Sequence, residues 1–125
     1  MKTKFSILIL SLILLITSAL SQNLLDEETI SVEQIDLLLN LSDELHGKNP
    51  QEALKYAKRA FMISRNNRDE IRSLNSIITL SYIYWSMSQF DSALKYSELA
   101  SLSANRLELK KEEIRALRIK GHIYF

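Results

Sequence analysis

Cysteine is absent from the 125-residue chain, which excludes disulfides, thiolate nucleophiles and thiolate metal sites. Proline occurs once and glycine twice, too few for a many-turned β sandwich or a Gly-rich phosphate loop, and this scarcity favours helices joined by short connections. A dominant charge is missing too. The 16 Lys+Arg stand against 15 Asp+Glu for a net +1, so no excess field favours nucleic acid or an anionic membrane surface. What remains is ordinary for one globular domain, with 46% apolar and 25% charged residues.

One long apolar run is present. Lys2 and Lys4 precede Phe5 to Ile16, then Thr17-Ser18-Ala19-Leu20-Ser21, the layout of a secretory signal. Small side chains at Ala19 and Ser21 suit signal-peptidase subsites and leave Gln22 as the new N-terminus. Residues 1–21 are therefore read as a signal peptide, and the mature protein as exported, periplasmic or secreted. The alternative is an uncleaved membrane anchor over residues 5–20. That run is 16 residues long, whereas a span needs ~20. Losing Lys2 and Lys4 with the signal turns the net charge from +1 to −1.

Beyond a short polar lead-in over 22–30, an internal echo organises the chain. Ala53-Leu54-Lys55-Tyr56 returns as Ala93-Leu94-Lys95-Tyr96, 40 residues on, and Ala60 returns as Ala100. Leu41-Ser42 matches Leu80-Ser81 at 39, and Ser81 and Tyr84 match Gly121 and Tyr124 at 40. Apolar and small residues at i, i+3, i+4 and i+7 make each copy a pair of helices. Ser31 with Gln34 predicts a capping box that starts a helix near Val32, and Gly47 is expected to end it with positive φ. Asn49 before Pro50 predicts a second helix to about Arg65. A third covers about Asp69 to Met87 after the Asn66-Asn67 break. Ser88 with Asp91 predicts a box opening a fourth, to about Ala104, and a fifth begins near Leu107. The expected units are a hairpin over 32–65, a hairpin over 69–104 and an unpaired helix over 107–125. Glu113-Ile114-Arg115 echoes Glu70-Ile71-Arg72 at 43 instead of 40, which loosens the register of the third copy.

These residues resemble the tetratricopeptide repeat, over about 31–125. The resemblance implies an all-α, right-handed solenoid of helical hairpins, about two and a half repeats. Its packing positions would be Leu41, Ser42, Leu45, Ala53 and Ala60 in the first repeat. The second would use Ile77, Leu80, Ser81, Tyr84, Phe90, Ala93 and Ala100, and the half repeat Leu117, Gly121 and Tyr124. Lys120 stands where the pattern expects Leu. A repeat length near 40 is similar to the exported N-terminal repeat regions of bacterial sensor and regulator proteins. The Ile123-Tyr124-Phe125 end, apolar and uncapped, favours a piece of a longer protein; the alternative function is thus a sensory fragment lacking its kinase or regulator output.

Catalytic constellations do not emerge. His46 and His122 are the only histidines, with no ligand at i+4, so neither a metal nor any other cofactor is expected. The pairs Glu27-Glu28, Asp43-Glu44 and Glu112-Glu113 are adjacent in sequence and splay apart on a helix. The resemblance implies instead a concave groove that binds a peptide or protein. Its lining would be Asp36, Leu39, Asp43 and His46, then Asn75, Ile78, Tyr82 and Trp85, then Arg115, Arg118 and His122. Tyr82 and Trp85 are the expected anchors. Residues 22–46 hold seven acids and no Lys or Arg, while 106–120 hold six bases and three acids. The groove is therefore expected to run from acidic to basic, and head-to-tail self-association is a second possible use of that polarity.

Overall fold

The computed structural model describes residues 2–125, apart from the side chains of 24–30, where the Glu27-Glu28 pair lies. The described residues are all-α, with five helices: α1 Lys2–Leu45, α2 Pro50–Asn66, α3 Glu70–Ser86, α4 Phe90–Arg106 and α5 Lys110–Tyr124. Two compact units divide them, Met1–Val32 and Glu33–Phe125.

The described residues of the first unit are helical throughout. Its Lys2–Asn23 stretch is 22 residues long with mean hydropathy 2.1 and no burial, so it is long and apolar enough to cross a membrane. A signal sequence near an N-terminus has the same character. Because the helix takes in residues flanking the apolar run, length no longer counts against an anchor. The start expected near Val32 is corrected: Ser31 and Gln34 lie inside α1. No Gly or Pro stands before Gly47 to interrupt the hydrogen-bond ladder.

In the second unit the first connection differs from the rest. Gly47 does not take positive φ, contrary to expectation. The amides of Lys48 and Asn49 instead close on the Leu45 carbonyl at 2.9 and 2.7 Å. Asn49 caps α2 by accepting from the Glu52 amide at 3.2 Å, and Pro50 occupies the first turn, where its missing N–H is harmless.

The next three turns are copies of one motif. Arg68, Ser88 and Glu108 have φ of 56, 59 and 59°. Each donates its amide three residues back, to Arg65, Trp85 and Asn105, and the following amide reaches five back, to Ser64, Tyr84 and Ala104. This is the Schellman closure, built without glycine. Ser88 is thus the left-handed residue and no N-cap; Gln89 takes the cap position without a side-chain bond. Asp69 does cap α3, accepting from the Arg72 amide at 3.0 Å. The motif's 20-residue pitch starts α5 at Lys110, not near Leu107. It also sets the third copy at 40, so the 43-residue echo is a coincidence of composition.

Small residues let the helices approach. Ala53, Ala57, Ala60 and Ser64 of α2 are buried, as are Ala93, Ser97, Ala100 and Ala104 of α4, four positions each displaced by 40. Helix α3 packs against both α2 and α4, and α5 packs against α4 and α3. Leu74, Ile77 and Ile78 form one cluster with Ala100, Ala104 and Ala116, and Leu80 and Ile83 form another with Ala53 and Ala57. Ile35 and Leu38 pack with Ala60 in a third. Two buried hydroxyls tie helices together: Ser42 donates to the Ala53 carbonyl at 2.9 Å, and Ser97 to that of Ala116 at 2.6 Å. Three of the expected packing residues are exposed: Phe90, because it opens α4 at its first position, and Leu117 and Tyr124, because they lie on the uncovered side of α5.

Candidate functional site: a groove between α1, α3 and α5

Helices α1, α3 and α5 border a groove of about 470 Å³, lined by Asp43, His46, Thr79, Tyr82, Ile83, Lys111, Arg115 and Arg118. Helical spacing explains the grouping. Lys111, Arg115 and Arg118 lie at i, i+4 and i+7 and share one face of α5, while Thr79, Tyr82 and Ile83 share one face of α3.

Five of the residues expected at the groove meet there: Asp43, His46, Tyr82, Arg115 and Arg118. Thr79, Ile83 and Lys111 were missed, although Lys111 was discoverable as the residue one turn before Arg115. The other expected residues lie elsewhere. Ile78 is fully buried, because α3 has neighbours on both sides and the helical register turns this side chain into the core. Leu39 is half-buried against the Ile35 cluster. Asn75 is half-buried on α3 and does not line the groove. Trp85 stacks on His122 with ring centroids 5.3 Å apart and planes tilted by 34°, so this expected anchor joins α3 to α5.

Asp36 alters the expected polarity. Arg72 grips it through two bonds, Nε at 2.9 Å and Nη2 at 3.1 Å, and also holds Asp69 at 3.1 Å. The bonds to Asp36 and then Asp69 raise the guanidinium well above its ordinary pKa. The acid at that end of the site is therefore already satisfied by the chain itself. By contrast, Lys111, Arg115 and Arg118 form no ion pair among the described residues. Among the described residues the groove thus presents three unpaired bases against the one acid Asp43. His46 Nδ1 donates to the Asp43 carbonyl at 2.7 Å, which fixes the ring at the rim.

The neighbouring bases behave differently. Lys110 pairs with Glu113 at 2.9 Å and lowers its carboxyl pKa, helped by Asn105, and Lys120 pairs with Glu98 at 3.3 Å. Among the described residues, the α5 bases without an ion-pair partner are those on its groove side. Comparison with known protein families, curated proteins and solved structures finds no match.

Proposed function

We propose that this chain is an exported, noncatalytic helical-repeat module of the tetratricopeptide kind, which binds a peptide or protein partner in the groove between α1, α3 and α5. The observation that supports this most is the set of Lys111, Arg115 and Arg118, unpaired among the described residues, beside Tyr82 and a Thr79-Ile83 floor. Desolvated aromatic anchors with flanking charges are how peptide grooves obtain affinity and register. The three bases favour a partner segment rich in Asp or Glu, with an aromatic or aliphatic side chain to lie against Tyr82. The apolar Lys2–Asn23 helix supports export, as a signal peptide or, if retained, as a membrane anchor.

Trp85 is the only tryptophan and sits on α3, the helix that supplies Tyr82, so its fluorescence is a usable reporter. Titration with acidic peptides is expected to give saturable, salt-sensitive binding. Reversing Arg115→Glu together with Arg118→Glu abolishes it without loss of helical signal. Tyr82→Ala costs about 2 kcal/mol of binding, as an anchor residue should. Equal affinity for acidic and basic peptides, or binding that survives the double reversal, rejects this reading.

A further inference from the structure

A second cavity lies away from the groove, where the last turns of α2 and α4 straddle the first turns of α3. It measures about 400 Å³, within the range of small-molecule sites, and its floor is Leu74, Ile77 and Leu107. The repeat explains why it is there. In the first copy Ile63 of α2 packs against Ile35 and Leu38, which correspond to Leu74 and Ile77 at an offset of 39. The residue 40 positions after Ile63 is Ser103 of α4, which lines the cavity. A hydroxymethyl group stands where the repeat places a packing side chain, and the volume it gives up becomes part of the hollow.

This hollow has gathered cations. Arg65, Arg68 and Arg106 border it against two acids, Asp69 and Glu70, for a net +1. Both acids are engaged: Asp69 caps α3 and holds Arg72 at 3.1 Å, and Glu70 holds Arg106 at 3.0 Å. Arg65 and Arg68 form no ion pair among the described residues. The carbonyl ends of α2 and α4 take up part of the positive charge, and the amide end of α3 returns some of it. Ser73 and Ser103 are half-buried on the wall, and their hydroxyls donate to nothing among the described residues. By contrast, Ser64 and Ser76 bond back to the carbonyls of Phe61 and Arg72. These polar groups are not features of the repeat. Forty residues on, Arg65, Arg68 and Ser73 are replaced by Asn105, Glu108 and Glu113, and forty residues back Arg106 is replaced by Asn66. Packing of the stack therefore does not demand them.

We infer that this cavity binds a small organic monocarboxylate. Arg65 and Arg68 supply the forks that pair with a carboxylate through two bonds, Ser73 and Ser103 supply further donors, and the apolar floor takes the body of the molecule. One negative charge matches the net +1 of the lining.

The probe is phenylacetate, titrated by calorimetry into the whole protein, held in lipid nanodiscs with empty nanodiscs as the blank if the apolar segment is retained. Saturable binding with a Kd of about 1 mM or tighter is expected. Phenethylamine, the same ring on a cation, binds at least about tenfold more weakly. Arg65→Gln combined with Arg68→Asn weakens phenylacetate about tenfold; Asn suits position 68, where φ is 56°. Ser103→Ile restores the side chain of the repeat and abolishes binding while Tm holds or rises, so the loss is one of space and not of folding. Reversing Arg115→Glu and Arg118→Glu leaves phenylacetate binding unchanged, which separates this cavity from the groove. No saturation by about 10 mM phenylacetate, equal affinity for the amine, or binding that survives Ser103→Ile overturns the inference. So does a cavity that takes inorganic phosphate and refuses phenylacetate.

Discussion

Helices α2 and α4 share one burial pattern beyond their first residue, whereas α3 and α5 do not, and the contrast separates what the repeat dictates from what neighbours dictate. The buried, half-buried and exposed residues of 51–66 recur one for one at 91–106. Each of these helices inserts a stripe of Ala and Ser between large apolar side chains, so its environment is set by its own small residues. Helix α3 has a helix on either side and buries eight residues; α5 buries Ala116 and Ile119 alone. The same pattern of side chains becomes core in one place and surface in the other. Burial of α3 and α5 is thus set by the helices packed against each of them and not by their own side chains alone.

That contrast can be broken most sharply at Leu74 and Ile114. Leu74→Ala is expected to cost about 3 kcal/mol of unfolding free energy, a buried truncation with a cavity, while Ile114→Ala costs under about 0.5 kcal/mol. Chemical denaturation of the two variants measures this; equal losses would mean that α5 is covered after all. A smaller effect is expected between α4 and α5, where a gap of about 260 Å³ is lined by Ser97, Ser101, Leu102 and Leu117. Phe61, 40 residues before Ser101, packs against the α3 clusters. Ser101→Phe should therefore fill the gap and add about 1 kcal/mol, seen as a higher Tm. The smallest change concerns the turns. Arg68→Gly, Ser88→Gly and Glu108→Gly each relieve a left-handed residue and should add about 0.5 kcal/mol apiece, in equal measure if the three turns are as alike as their φ angles indicate.

Much of this architecture was legible in the chain. Ala53-Leu54-Lys55-Tyr56 and its copy located α2 and α4, and Asn49-Pro50 located the start of α2, because caps and prolines act locally. The turns were harder to read. Schellman closures normally advertise themselves with glycine, and here Arg, Ser and Glu fill the left-handed position, so Ser88 looked like a cap. The start near Val32 failed because a capping box only begins a helix where the chain is not already helical. At the groove, Asp43, His46, Tyr82, Arg115 and Arg118 meet as the tetratricopeptide resemblance implied. Ile78 and Trp85 do not, since which side of α3 faces open space depends on how α5 lies against it. The neutralisation of Asp36 by Arg72, across 36 residues of sequence, had no local signal at all.

The most direct test of the groove as the working surface is site-specific photocrosslinking in producing cells, with the crosslinker placed at Tyr82 or at the exposed Met62 of α2. A defined adduct from position 82, absent from position 62 and lost when Arg115 and Arg118 are reversed to Glu, is the predicted result. An adduct from position 62 alone, or one from position 82 that persists after the charge reversal, would contradict the account.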